Sequence, residues 1–372
     1  MLKILSIFGT RPEAIKMAPV VKELKKNPER IESVVCVTAQ HREMLDQVLD
    51  LFMIKPDIDL DLMENDQTPA SLTSLGMMEL TRVLQNVKPD LVLVQGDTTT
   101  AMVAALAAFY QKIPVGHVEA GLRTKNIYAP FPEEVNRHII GVLGKYHFAP
   151  TRTAARALLA ENVPEENIFI TGNTVIDALL WTVQQEVPRG MHPLLAGLEN
   201  GNRLILITAH RRENFGEPFL QICRALCRIA ERNSDVSLIY PVHRNPNVRQ
   251  PVYRMLSRRE RIHLVDPMGY APFAHLMKKA YLVLTDSGGI QEEAPALGKP
   301  VLVMRKETER PEAVEAGTVK VVGLDEENIV RETEKLLYDH DEYKKMAQAV
   351  NPYGDGHAAE RIVKILMRTD PS

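Results

Sequence analysis

Five short segments of this sequence combine glycine, charged side chains and hydroxyl groups, and each lies at or after the end of a run of aliphatic and β-branched residues. They are residues 9–13 (Gly-Thr-Arg-Pro-Glu), 96–100 (Gly-Asp-Thr-Thr-Thr), 117–121 (His-Val-Glu-Ala-Gly), 210–213 (His-Arg-Arg-Glu) and 286–289 (Asp-Ser-Gly-Gly). Ligands of open α/β sheets bind outside the carboxyl ends of the strands, so functional groups are expected at these positions. The residue types suit proton transfer and the binding of a small anion.

Carboxylates are the first candidates for chemistry. Asp97 and Glu119 follow neighbouring strands, and Glu133 begins a helix that carries Arg137 four residues later. Asp97 is also compatible with a helix cap, and Glu133 with an ordinary i,i+4 ion pair worth ~0.2–0.5 kcal/mol. Glu119, between two apolar residues, has no such local role and needs a partner or a task.

Residues 287–289 (Ser-Gly-Gly) lie between a predicted strand and a predicted helix. Free N–H groups and the helix dipole favour a phosphate there, whereas a plain tight turn is the alternative. Glu293, one turn into this predicted helix, could accept hydrogen bonds from ribose hydroxyls, or it could only compensate the helix dipole. Arg11, Lys16 and Arg310 are candidate cations for a diphosphate; Lys16 near a helix start opposes the dipole unless it meets an anion.

Two histidines follow strands of the second half of the chain, His210 and His243. Histidine is the usual proton-transfer group near neutral pH, although a single histidine is more often structural.

The elements that must position these residues alternate between short aliphatic strands and amphipathic helices. This alternation predicts right-handed βαβ units and parallel, doubly wound sheets. It begins with a strand over Lys3–Phe8 and restarts with Leu204–Thr208, after a segment rich in Pro and Gly at 182–200. We therefore predict two α/β domains with a cleft between them. Their predicted limits are residues 1–172 and 173–356, with a C-terminal helix over 357–372 that packs back on the first domain.

Composition narrows the class of protein. The chain has 372 residues, a net charge of −3 and three cysteines. No basic field for nucleic acid is expected, no segment is long and apolar enough for a membrane span, and the sparse cysteines favour a reducing cytoplasm. The phosphate loop, the dinucleotide fingerprint and zinc-binding spacings are missing from the sequence, so neither a cofactor nor a metal is expected.

Six motifs occur in order along nearly the whole chain, and together they resemble the bacterial non-hydrolysing UDP-N-acetylglucosamine 2-epimerases. They are GTRPEAIK (9–16), QGDTTT (95–100), HVEAGLRT (117–124), FPEEVNR (131–137), AHRREN (209–214) and DSGGIQEEAP (286–295). The resemblance implies a glycosyltransferase-B-like fold: two Rossmann-like domains, the first with the catalytic carboxylates and the second binding UDP, an interdomain cleft and a homodimer. It also implies interconversion of UDP-GlcNAc and UDP-ManNAc, supplying ManNAc for cell-surface polysaccharide.

The resemblance also implies roles for individual residues. The catalytic set is Asp97, Glu119, Glu133 and His210. The substrate-binding set is Arg11, Lys16, Asp97, Glu119, Arg137, His210, Met268, Phe273, Ser287, Gly288, Gly289, Glu293 and Arg310. Phe273 lies near the uracil, and Met268, which replaces a polar residue of some relatives, would contact uracil through its backbone. An activating second UDP-GlcNAc, bound in some members, would contact Gln40, Arg211 and His243.

The chemistry itself suggests a mechanism. C2 of the sugar has no adjacent carbonyl to stabilise a carbanion, and oxidation would need NAD, so we predict elimination of UDP to 2-acetamidoglucal and re-addition. Asp97 and Glu133 are assigned to proton transfer at C2, Glu119 to orienting the sugar or tuning a neighbour, and His210 to the leaving phosphate or a hydroxyl. A glycosyltransferase on the same scaffold, a hydrolysing epimerase and a catalytically inactive nucleotide-sugar sensor are the alternatives.

Overall fold

The structure is a computed structural model that describes residues 1–38, 42–62, 67–187 and 201–368. Gln40 and most of the predicted 182–200 connection lie outside the described residues. The chain forms two compact units: unit 1 comprises residues 1–178 with the segment that begins at Tyr353, and unit 2 comprises residues 179–352. The first boundary between the units therefore lies six residues after the expected position 172, and the second lies four residues before the expected position 356.

Unit 1 contains a parallel sheet whose strand order is β3-β2-β1-β4-β5-β6-β7. The strands are β1 (Leu2–Phe8), β2 (Ile31–Val37), β3 (Ile58–Asp59), β4 (Leu91–Gln95), β5 (Val115–Val118), β6 (Tyr146–Ala149) and β7 (Ile168–Ile170). All of β4 is buried, because helices cover both faces of the sheet. The order reverses between β1 and β4, which is the point where such sheets bind ligands.

The helices of unit 1 follow the strands. They are α1 (Arg11–Lys25), α2 (Arg42–Leu51), α3 (Pro69–Val87), α4 (Thr99–Tyr110), α5 (Glu133–Leu143), α6 (Arg152–Ala160) and α7 (Thr174–Thr182), within which the boundary of the units falls. The start of α1 is fixed by its sequence: Pro12 occupies its first turn, and Thr10 and Glu13 form a reciprocal capping box.

Unit 2 repeats the architecture with the strand order β10-β9-β8-β11-β12-β13 and parallel pairing. The strands are β8 (Arg203–Thr208), β9 (Val236–Pro241), β10 (Ile262–Val265), β11 (Leu282–Thr285), β12 (Val301–Val303) and β13 (Val319–Val321). The helices are α8 (Glu217–Arg232), α9 (Pro246–Leu256), α10 (Tyr270–Lys279), α11 (Gly288–Ala296), α12 (Pro311–Glu315), α13 (Glu326–Tyr338) and α14 (His340–Ala347). Here the strand order reverses between β8 and β11.

The last helix, α15 (Ala358–Leu366), belongs to unit 1 and packs on α1. The buried carboxylate of Asp177 on α7 accepts the backbone N–H groups of Ala358 and Ala359, at 3.2 and 2.8 Å. A carboxylate at a helix N-terminus satisfies N–H groups that have no partner within the helix. The C-terminal segment is thereby fixed to unit 1.

Two parallel sheets with alternating helices confirm the predicted α/β class. Among the described residues, no helix is long and apolar enough to span a membrane.

Candidate active-site residues in the two units

The loops after β1 and β4 are joined by the carboxylate of Glu13. It accepts N–H bonds from Gly9 (3.0 Å) and Thr10 (2.7 Å) and the hydroxyl of Thr98 (2.6 Å). Burial raises the pKa of Glu13, and these hydrogen bonds oppose that rise. Glu13 is not among the residues singled out from the sequence, although the spacing Thr-x-x-Glu before an apolar helix is the pattern of a capping box.

Glu119 follows β5 and is 8% exposed, with its carboxylate enclosed by three side chains. Lys16 Nζ lies 2.6 Å from both carboxylate oxygens, Gln95 Nε2 donates to Oε2 at 2.5 Å, and Asn173 Nδ2 donates to Oε1 at 2.9 Å. Its φ is 65°, in the left-handed region. For a residue with a long side chain this backbone costs about 1–3 kcal/mol and persists where its surroundings hold it in place.

Asp97 follows β4 and pairs with Arg137 from α5. Arg137 donates to Asp97 Oδ2 through Nε at 2.9 Å and Nη2 at 2.6 Å. Asn136 donates to the backbone carbonyl of Asp97 at 2.9 Å. The alternative that Asp97 caps a helix is wrong, because Thr98 is the cap of α4 and accepts the N–H of Ala101.

Glu133 is the first residue of α5. Glu133 does not form the expected i,i+4 ion pair with Arg137 in the described structure. Arg137 instead pairs with Asp97 and with Glu134, whose Oε2 lies 3.0 Å from Arg137 Nη1. Within the described part of the chain, Glu133 Oε2 is buried without a hydrogen-bond partner. It lines a cavity of about 290 Å³ whose other walls include Thr10 and Asn136. A buried carboxylate oxygen without a partner is suited to take a proton or a ligand hydroxyl.

In unit 2, the N-terminus of α11 follows β11 and faces two guanidinium groups. Ser287 is the N-cap residue of α11, and its side chain makes no cap hydrogen bond within the described structure. A methyl group added at Gly288 would lie 3.6 Å from Arg211 Nη2 and 3.8 Å from Arg310 Nη2. Arg310 Nε is held by the buried Glu292 at 2.5 Å. N–H groups at a helix N-terminus, the helix dipole and nearby cations are features that favour the binding of an anion.

His210 follows β8 and is positioned by Asp286, a fully buried residue that follows β11. Asp286 Oδ2 accepts the N–H groups of His210 and Arg211, both at 2.8 Å, and its Oδ1 lies 3.7 Å from His210 Nδ1. The His243 ring stacks on the His210 ring with centroids 5.3 Å apart. Burial lowers the pKa of His210; His243 and Arg211 lower it further, whereas Asp286 raises it. Asp286 begins the DSGGIQEEAP motif, and its role in positioning His210 was not predicted from the sequence.

The predicted uracil and ribose contacts lie around α10 and α11. Phe273 and Met268 are half-buried. Glu293 Oε1 would lie 3.5 Å from a methyl group added at Gly289, at the first turn of α11. Burial and the neighbouring Glu293 raise the pKa of Tyr270 well above its usual value.

The predicted residues thus divide between the units. Unit 1 holds Arg11, Lys16, Asp97, Glu119, Glu133 and Arg137, whereas unit 2 holds His210, Arg211, His243, Met268, Phe273, Ser287, Gly288, Gly289, Glu293 and Arg310. Lys16 was expected to contact a diphosphate, and here it contacts Glu119. Arg11 is exposed in the first turn of α1.

Comparison with known proteins gives a consistent result. A family model described as UDP-N-acetylglucosamine 2-epimerase matches residues 22–367. The UDP-N-acetylglucosamine 2-epimerase of Salmonella typhimurium is 55% identical over 375 residues, covering 98% of each chain. A crystal structure of a putative UDP-N-acetylglucosamine 2-epimerase from Listeria monocytogenes has a TM-score of 0.94 and 53% identity, covering 100% of this chain and 98% of that one. The Neisseria meningitidis UDP-GlcNAc 2-epimerase, crystallised with UDP-GlcNAc, has a TM-score of 0.89 and 51% identity, covering 99% and 100%.

Proposed function

We propose that this chain, which belongs to the UDP-N-acetylglucosamine 2-epimerase family, interconverts UDP-GlcNAc and UDP-ManNAc by inverting C2 of the sugar. The proposal rests on the carboxylates at the ends of β4 and β5 and at the start of α5. It also rests on a helix N-terminus with Gly288 beside Arg211 and Arg310 at the switch point of the second sheet. Carboxylates suit proton transfer, and this helix N-terminus suits a diphosphate.

The reaction we propose is elimination followed by re-addition. A base removes the C2 proton, the electrons of the C2–H bond form a C1=C2 double bond, and the C1–O bond breaks with its electrons leaving on UDP. The intermediate is 2-acetamidoglucal. UDP then re-forms the C1–O bond while a proton is added to the opposite face of C2, so atoms and electrons balance without an oxidant.

The carboxylates of unit 1 would transfer the protons. Glu133 offers a buried oxygen that no described residue bonds, and it lines the cavity of unit 1. Asp97 is fixed by Arg137 from one side, and Asn136 holds its backbone carbonyl. We assign proton transfer at C2 to Asp97 and Glu133, with one group for each face of the sugar.

Unit 2 would hold the nucleotide and stabilise the departing charge. The N-terminus of α11, Gly288 and Arg310 provide donors for the diphosphate, and pre-arranged donors stabilise charge that develops in a transition state. Because the pKa of His210 is lowered, its imidazole is largely neutral near pH 7 and can accept or relay a hydrogen bond beside the leaving phosphate.

Incubation with UDP-GlcNAc alone tests the proposal. We expect ¹H NMR to show the UDP-ManNAc anomeric signal without any acceptor. Free UDP and ManNAc would favour a hydrolysing enzyme, dependence on an acceptor would favour a transferase, and binding without turnover would favour a sensor. The homodimer, the cytoplasmic location, the supply of polysaccharide synthesis and the second nucleotide-sugar site at Arg211 and His243 stay predictions.

A further inference from the structure

Two uncharged amides hold the carboxylate of Glu119. Gln95 Nε2 donates to Oε2 at 2.5 Å, and Asn173 Nδ2 donates to Oε1 at 2.9 Å, so each oxygen receives one amide N–H in addition to Lys16. The two amides come from elements far apart in sequence, the end of β4 and the residue before α7. They leave Glu119 little freedom to change its orientation.

The amides are themselves fixed. Asn173 is 2% exposed; its backbone N–H donates to the carbonyl of Tyr353 at 2.7 Å, and its side-chain Oδ1 accepts the N–H of Val175 at 3.1 Å. Because Oδ1 is used by Val175, the NH₂ group must be the one that faces Glu119. Gln95 is 3% exposed at the end of the fully buried β4.

The backbone of Glu119 also requires support. Its φ of 65° lies in the left-handed region, which a residue with a Cβ disfavours. The side chain is therefore held by donors on both oxygens while the backbone stays in a disfavoured conformation. Such a combination is typical of a group whose orientation matters for function.

We infer that Gln95 and Asn173 are positioning residues for the epimerisation, which act by fixing the Glu119 carboxylate; this inference rests on the proposed function. Neither residue needs to contact the sugar. Lys16 from α1 and His117 from β5 are titratable groups that face Glu119, and burial lowers the pKa of His117 to about 3, so this imidazole stays neutral in the assay range. The amides supply directed N–H groups that do not titrate.

The direct test is Asn173→Asp, which keeps the side-chain size but replaces the N–H donor by a second carboxylate. We expect kcat to fall about 10²-fold, as for a small misplacement of a reacting group, while KM changes less than about threefold. Repulsion between two adjacent carboxylates raises the pKa of one of them. The acidic limb of the kcat–pH profile should therefore shift to higher pH by about one unit. Gln95→Glu makes the same change beside the other carboxylate oxygen of Glu119, and it replaces Asn173→Asp as the test if that variant does not fold.

Asn233→Asp is the matched control, because Asn233 is a buried amide that donates to the carbonyl of Ile229 at 2.8 Å, in unit 2 and outside the proposed site. It should lower Tm but leave kcat and the pH profile of the folded enzyme unchanged. If Gln95→Glu and Asn173→Asp behave like Asn233→Asp while the wild type forms UDP-ManNAc, the positioning role is wrong and the proposed function stands. If the wild type forms none, both fail.

Discussion

The two units have the same strand order around their switch points, but they differ in the chemistry found there. At the β1–β4 edge of unit 1, carboxylates predominate and two of them are paired with cations, Glu119 with Lys16 and Asp97 with Arg137. At the β8–β11 edge of unit 2, guanidinium groups and glycines surround a helix N-terminus. Under the proposed function, one scaffold would support proton transfer in one copy and anion binding in the other, because the loops rather than the sheets supply the functional groups.

The helices that follow the fourth strand of each sheet show the difference most directly. In unit 1, the side chain of Thr98 caps α4 by accepting the N–H of Ala101 at 3.0 Å and donates to Glu13. In unit 2, the side chain of Ser287 makes no cap hydrogen bond to the first turn of α11 within the described structure. Under the proposed function, the start of α4 is structural and the start of α11 binds the diphosphate.

The largest expected effect is on the carboxylates of unit 1. Replacing Asp97 by Asn or Glu133 by Gln should lower kcat ~10²–10⁴-fold, because each change removes a proton-transfer group of nearly unchanged shape. Steady-state kinetics with UDP-GlcNAc would measure this. Glu23→Gln, in an exposed ion pair with Lys26, is the control and should leave kcat unchanged. Normal turnover in both site variants would remove the functional distinction between the two units.

The matching change in unit 2 should affect binding instead. In Gly288→Ala, the added methyl group is accommodated at 3.6 Å from Arg211 but occupies the space that a diphosphate would need. Loss of one or more charge-assisted hydrogen bonds, each worth about 1.5–3 kcal/mol, should raise Kd for UDP roughly 10–100-fold in calorimetry. Gly76→Ala in α3, whose added methyl group has only ordinary contacts, is the control. Unchanged UDP affinity in Gly288→Ala would contradict an anion site at α11.

The pH dependence of stability should separate the buried His117 of unit 1 from an exposed histidine. Burial lowers the pKa of His117 to about 3, from an unfolded value of 6.5, while its Nε2 donates to the carbonyl of Gly96. Between these values the unfolded chain binds more protons, so stability is full above pH 6.5 and decreases as pH falls toward 3. His117 should contribute a slope of up to about 1.4 kcal/mol per pH unit to the free energy of unfolding measured in urea. His117→Gln should remove this contribution, whereas the buried His147, whose pKa is also lowered, keeps its own.

The exposed His340 is the control for this pH experiment, and His340→Gln should keep the slope of the wild type. An unchanged slope in His117→Gln would mean that the decrease comes from other groups.

The smallest effect concerns the two helix caps. Thr98→Ala should lower the free energy of unfolding by about 0.5–2 kcal/mol, because it removes the α4 cap. Ser287→Ala should cost less in stability, because no cap bond is lost, but should weaken UDP binding. Thermal unfolding and calorimetry on both variants would show this. Equal losses of stability would indicate that both helix starts are structural.

The sequence predicted the features that depend on local pattern. The alternation of strands and helices follows from hydrophobic periodicity and punctuation by Pro and Gly. Strands β3, β6, β7 and β13, of two to four residues, were not predicted individually. Glu119 was recognised as a residue without a local role.

The partners of the site residues could not be predicted, since they come from distant segments. Lys16 is 103 residues from Glu119, Asn173 is 54 residues from it, and Asp286 is 76 residues from His210. Such contacts are determined by the packing of helices and loops on the sheet, which no local spacing encodes.

The central claim is that the C2–H bond breaks and re-forms while UDP leaves and returns. It is tested most directly by incubating the wild type with UDP-GlcNAc in D₂O and following C2 by NMR. We predict deuterium at C2 in both UDP-ManNAc and recovered UDP-GlcNAc, with nearly all of the UDP still bound to sugar. Formation of UDP-ManNAc that retains its original C2 hydrogen would contradict the account.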